Sequence, residues 1–208
     1  TPGVSGDDIR LGAARLMLAE RLPDAALTVL KQLADVTAAK PDVVLLRATA
    51  EARAGDPAVA LTLLQSQPDN DAAHRIAADA LERMGRVADA ARRLDGAKAT
   101  ADQLRRAGLL FKASAWQDAA TAYAAVLHAP DLAGDARNIA AERYAAALAL
   151  AGGPPPATAP QLPASPARLL AVLPGHAAPV APNGDAMSSV PAALERAHGS
   201  AARVAAER

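Results

Sequence analysis

A turn residue flanked by two alanines at fixed distances recurs four times in this chain, and it limits the fold more than any other feature. The turn residues are Glu20, Gly55, Gly85 and Ser114. Seven residues before each stands Ala13, Ala48, Ala78 or Ala107, and five residues after each stands Ala25, Ala60, Ala90 or Ala119. A larger residue follows each second alanine by four positions: Val29, Leu64, Leu94 or Tyr123. Two residues beyond each turn comes Leu22, Pro57, Val87 or Trp116. Alanine at a contact lets two helix backbones approach closely, and larger side chains then fill the space toward the next element. The spacing predicts pairs of short helices joined by tight turns, each pair packed on the next.

Composition points the same way. Apolar residues make up 51% of the chain but aromatics only 2%, and alanine supplies most of the apolar count. Alanine favours helix and buries little area, so many close helix contacts must replace a few large side chains. No alternating apolar run suggests a strand. The fold class is therefore all-α. Helices are predicted at about 8–20, 23–35, 41–54, 57–66, 71–84, 87–94, 100–113, 116–128 and 135–151. Asp7 or Asp8 is the expected first cap. At Gly55-Asp56-Pro57, Gly55 is expected to end one helix in the left-handed conformation, Asp56 to cap the next and Pro57 to occupy its first turn. Thr100 with Gln103 has the spacing of a capping box. Ten of the 16 prolines fall between Pro154 and Pro191. This divides the chain into a helical domain, 7–152, and a Pro/Ala-rich linker, 153–208. Short helices are expected in the linker at about 166–172 and 191–206, the second placed to cap the last helix of the domain or to dock on a partner.

The alanine and turn offsets resemble the tetratricopeptide repeat family, whose unit is a helix–turn–helix of about 34 residues. The spacings here, read at Ala25, Ala60, Ala90 and Ala119, are 35, 30 and 29. The tyrosine that the family places three residues after the first small residue is replaced by Leu16, Glu51, Leu81 or Leu110. The family's late alanine of the second helix is Gln32, Gln67, Ala97 or Val126, and its leucine-glycine pair is never complete. The resemblance covers about residues 8–130, plus a half-unit carried by Ala145, Leu148 and Gly152. It implies a right-handed α-solenoid of tetratricopeptide-like repeats with an irregular Pro/Ala-rich C-terminal tail. The function it implies is that of a protein–protein interaction scaffold or adaptor within a larger bacterial protein or assembly. A closed helical oligomerisation bundle without a peptide groove is the alternative architecture.

Charge narrows the partners. Lys+Arg and Asp+Glu balance at 22 each, which argues against a general nucleic-acid or membrane-surface binder. No apolar run approaches the ~18–20 residues of a membrane span. There is no Cys, so disulfides and thiolate metal sites are excluded. Thr1 stands where a Met would, and no charged-then-apolar leader follows it, so a processed chain or a piece of a longer one is expected. No GxSxG, Walker or GxGxxG motif occurs, and no histidine pair has zinc-ligand spacing. No catalytic residue and no cofactor is assigned. Asp69, Asp71 and His74 gather at a helix start, where acids serve as caps more readily than as three ligands of a metal ion.

The candidate partner-binding residues follow from the resemblance, in which the first helix of each unit lines a concave face. Arg10, Arg75 and Arg105 are expected to form one row there, and Arg53, Arg83 and Lys112 a second. Together they would pair with a carboxylate-bearing peptide or an acidic partner protein. The plainer reading is that they are solvated helix charges paired with Asp42, Asp79 and Glu82. The asparagines that complete the carboxylate clamp in chaperone-binding members of the family are absent from the matching places. Phe111, on the groove side beside Lys112, is the aromatic assigned to ligand contact. Trp116 and Tyr123 are assigned to the core, as the packing anchor of the array.

Overall fold

In the computed structural model, the described residues are 5–154 together with Pro156, Pro160 and Leu162. The short helices expected at 166–172 and 191–206 lie outside them. The chain divides into two compact units, Thr1–His176 and Ala177–Arg208, and all described residues belong to the first. They form ten helices and no strand. These are α1 (Gly6–Ala19), α2 (Pro23–Leu30), α3 (Asp35–Ala38), α4 (Pro41–Arg53) and α5 (Pro57–Leu64). Then follow α6 (Asp71–Arg83), α7 (Val87–Arg93), α8 (Thr100–Lys112), α9 (Trp116–Leu127) and α10 (Gly134–Ala151).

Local chemistry sets most of the boundaries. Ser5, ahead of the expected Asp7 or Asp8, caps α1: its hydroxyl accepts the Asp8 N–H at 3.1 Å, and the Asp8 carboxylate takes the Ser5 N–H at 3.2 Å. Asp7 is thereby free to accept the Ala34 N–H at 3.3 Å. This contact belongs to a break that the sequence did not announce. The helix expected over 23–35 stops at Leu30, the chain turns Leu33 into the core, and α3 begins at Asp35. Asp56 caps α5 through the Ala58 N–H at 2.8 Å, and Pro57 opens that helix. The capping box expected at Thr100 and Gln103 does not form. Ala99 is the N-cap of α8, and the Thr100 hydroxyl bonds Asp131 at 2.8 Å instead.

Gly55 behaves differently from the expectation. Among the described residues the left-handed glycines are Gly85, Gly96, Gly134 and Gly152, and Gly55 is not one of them. What Gly55 supplies is room. A Cβ there would lie 1.9 Å from Glu51 Oε2 and 2.9 Å from Leu27 Cδ1. Glu51 is 6% exposed, and its Oε2 accepts the Asp56 N–H at 2.9 Å. So a buried carboxylate holds this turn.

The core consists of local clusters along the chain. One joins α1, α2 and α4, the next α4, α5 and α6, the third α6, α7 and α8, and the last α8, α9 and α10. Burial corrects the register of the first unit by one residue. The residue in the left-handed region is Arg21 (φ 60°), in line with Gly85 and Ser114 (φ 59°), and not Glu20. Counted from Arg21, the flanking alanines are Ala14 and Ala26 rather than Ala13 and Ala25. Ala14, Ala26, Ala48, Ala60, Ala78, Ala90, Ala107 and Ala119 all have 0% exposure. The corrected spacing from Ala26 to Ala60 is 34.

The aromatic anchor is also reassigned. Tyr123 (0% exposed) and Tyr144 (1%) fill the last cluster. Trp116 is only half-buried and rests edge-on against Phe111, ring centroids 5.0 Å apart.

Candidate functional site

The candidate cations lie on the first helices of the units, Arg10 on α1, Arg53 on α4, Arg75 and Arg83 on α6, and Arg105 and Lys112 on α8. Their equivalence is narrower than the sequence suggested. Arg53, Arg83 and Lys112 each lie five residues after a buried alanine and share a register. With the first unit corrected, Arg10, Arg75 and Arg105 lie four, three and two residues before theirs, so they form no single row.

The structure brings some of these residues together and separates others. Arg105 is the hub. It binds Asp79 and, at 3.1 Å, Glu82, both on α6. Lys112 Nζ reaches Glu82 Oε1 at 2.6 Å, and Arg53 Nε stands 3.8 Å from Asp79 Oδ2. A chain of charges, Arg53–Asp79–Arg105–Glu82–Lys112, thus crosses from α4 over α6 to α8. Arg75 is taken up by Asp102 at 2.8 Å, and Arg10 by Asp7 at 3.1 Å. Arg83 turns back to cap α4, donating to the carbonyls of Glu51 at 3.1 Å and Ala52 at 3.0 Å. Phe111 packs against the last cluster as well as on Trp116.

Electrostatics within the chain of charges follow from this geometry. The hydrogen bond from Lys112 holds the Glu82 carboxyl below its ordinary value, with Arg105 adding to the effect against the opposing cost of burial. Burial alone would lower Arg105, but Asp79 and Glu82 together raise it. Three cations share the two carboxylates.

A cleft of about 400 Å³ opens beside this chain, lined by Glu82, Leu104, Arg105, Gly108, Lys112 and Arg143. Arg143, on α10, was missed in the sequence because it lies outside the four matched units. Its guanidinium stands 3.5 Å from the Tyr123 hydroxyl and meets no carboxylate among the described residues. A larger cleft, about 590 Å³, lies between α5, α6 and α7. Its rim arginines Arg86 and Arg92 both bind Asp89, and its His74 binds Asp69. Among the described residues no three His, Asp or Glu side chains gather as a metal site, and no helix is long and apolar enough to cross a membrane. The larger cleft also carries a third arginine, Arg93, against two carboxylates, Asp69 and Asp89. The cleft between α6, α8 and α10 is the better candidate for recognition, because there three cations, Arg105, Lys112 and Arg143, line the walls beside a single carboxylate, Glu82. No protein-family model, no curated protein and no solved structure matches this chain.

Proposed function

We propose that the protein is a non-enzymatic interaction scaffold, a right-handed array of tetratricopeptide-like helix pairs that binds an acidic peptide or segment of a partner protein along α4, α6 and α8. The single observation that carries this reading is the surplus of cations around the cleft. Arg53, Arg105 and Lys112 share Asp79 and Glu82, and Arg143 adjoins them with no acid of its own among the described residues. The recurrence of eight fully buried alanines at fixed offsets supports the array. Arginine suits a carboxylate partner because its planar donors grip two oxygens at once. The carboxylates already present pre-order Arg105, so less rotamer freedom is lost when a ligand arrives.

The test is binding of a fluorescent decapeptide alternating pairs of glutamate with leucine, measured by anisotropy at low and physiological ionic strength. Binding is expected to weaken with salt. The double substitution Lys112→Gln, Arg143→Gln should weaken it at least about tenfold with the helix content seen by circular dichroism unchanged, since both side chains are exposed. Equal binding by the double variant, or no binding at low salt, would refute the reading.

A further inference from the structure

The helix pairs meet in the same way along the chain, with one exception. α4, α6, α8 and α10 each pack on the second helix of the preceding unit. The residue just before the central buried alanine is Arg47 in α4, Ala77 in α6, Arg106 in α8 and Tyr144 in α10. The three large side chains fold inward. Tyr144 is 1% exposed, and Arg47 and Arg106 each bury Nε out of reach of water. In α6 a single methyl group stands in their place.

Two clefts share this register, one between α5, α6 and α7 and the other between α7, α8 and α9. Leu64, Gln67, His74, Ala77 and Arg93 line the first. Their counterparts one unit on, Leu94, Ala97, Gln103, Arg106 and Ala122, line the second. Where Arg106 fills the gap, about 200 Å³ is left; where Ala77 stands, the space is about 590 Å³. The larger figure lies within the range of small-ligand pockets, about 300–1,000 Å³.

The walls of this hollow are apolar. Ala73, Ala77 and Leu81 form a stripe at four-residue spacing on α6, about 12 Å long, and Leu61 and Leu64 of α5 complete the lining. The rim is cationic. Arg86 and Arg92 divide one acid, Asp89, while the exposed Arg93 meets no carboxylate among the described residues. A guanidinium at the mouth of an apolar hollow suits a ligand whose acidic head pairs outside while its body displaces water inside.

We infer that the cleft between α5, α6 and α7 binds a small carboxylate with an apolar body, its head on Arg93 and its body along the stripe at Ala77. The chain's own residues 163–208 are a poor occupant for a cationic cleft, because they hold four arginines against three acidic residues. The inference goes beyond the acidic-peptide reading and shares no lining residue with that site.

Octanoate is the probe and octanol its uncharged counterpart, each titrated calorimetrically into the full chain at low ionic strength. Octanoate should bind at one site with a Kd below about 1 mM, at least about tenfold tighter than octanol. Arg93→Gln should remove that preference. Ala77→Met, which refills the hollow with an uncharged side chain, should weaken octanoate at least about tenfold, with circular dichroism reporting the fold. Arg93 is exposed, so its variant decides the matter should Ala77→Met fail to fold. Arg93→Gln should leave binding of the glutamate–leucine decapeptide unchanged, which separates this site from the other cleft. The inference is overturned by the absence of saturable octanoate binding, by octanol binding equally well, or by wild-type octanoate affinity in Arg93→Gln or in folded Ala77→Met. Loss of decapeptide binding in Arg93→Gln would assign that arginine to the other site and overturn it as well.

Discussion

Replacing Gly55 by alanine tests the account of the turn between α4 and α5. The new methyl would sit 1.9 Å from Glu51 Oε2 and 2.9 Å from Leu27 Cδ1. Glu51 must swing away and give up the Asp56 N–H, which it holds at 2.9 Å. A hydrogen bond to a charged group contributes about 1.5–3 kcal/mol. Crowding against Leu27 adds about 1 kcal/mol, the low end for overpacking, because a single methyl end must move. Loss of glycine's freedom in the unfolded chain returns about 0.4–1 kcal/mol. The net expectation is a loss of about 2–3 kcal/mol, read from the urea midpoint at constant slope. Glu51→Ala removes both the obstacle and the hydrogen bond. In that background Gly55→Ala should cost less than about 1 kcal/mol, so the two changes should be strongly non-additive. Gly85→Ala is the contrast. Nothing lies within 4 Å of its added methyl, but φ is +74°, so a cost of about 1–2 kcal/mol should persist whatever stands at position 51. A neutral Gly55→Ala, or a cost that simply adds to that of Glu51→Ala, would refute the reasoning.

Other outcomes follow from the packing and the charges. Tyr123→Ala should cost about 3–5 kcal/mol and Trp116→Ala only about 1–2 kcal/mol, because the tyrosine is fully buried and the indole half-exposed; equal costs by urea titration would restore Trp116 as the anchor. Burial pushes the Tyr144 phenol above its ordinary value, and its hydroxyl finds no hydrogen-bond partner among the described residues. Tyr144→Phe should therefore stabilise by about 1 kcal/mol, and a destabilised variant in thermal melts would contradict that. The Glu82 carboxyl is held below its ordinary value of 4.5 chiefly by Lys112. Its contribution is complete above pH 4.5 and is lost as pH falls below that value toward its depressed folded one. Glu82→Gln should accordingly flatten the acid side of the melting-temperature profile, and an unchanged profile would count against the bridge.

Much of the helical order was legible in the sequence because alanine, proline and glycine mark it locally. Pro23, Pro41 and Pro57 open helices where their position required, and Gly85 and Gly152 take the left-handed conformation at helix ends. The register of the first unit was not legible, for a specific reason. Alanine doublets occur at 13–14 and 25–26, so each offset had two candidates, and Arg21 is not a residue that signals a left-handed turn. Only burial separates Ala14 from Ala13. The turn at Gly55 misled in another way: its glycine answers to Glu51 and Leu27, contacts that no local rule contains. For the site, the charged residues and two of their partners, Asp79 and Glu82, were visible, but which cation takes which acid was not. Arg105 finds Asp79 and Glu82 more than twenty residues away, while Arg75 is drawn to Asp102 and Arg83 to backbone carbonyls. Which cations remain available to a ligand depends on those distant choices.

The eight alanines with no exposed surface also invert the usual map of mutational risk. In most cores the dangerous change removes bulk and leaves a void. Here the contacts between neighbouring helices are one methyl thick, so the dangerous change adds it. Valine or leucine at Ala48, Ala78 or Ala107 would act as a shim, prising adjacent helix pairs apart and carrying the displacement to the units on either side. Serine, nearly the same size, would leave the spacing intact. Natural or laboratory variation in this chain should thus be strictest at its smallest side chains, and drift should show first at Val36 and Leu150, where the surface has room.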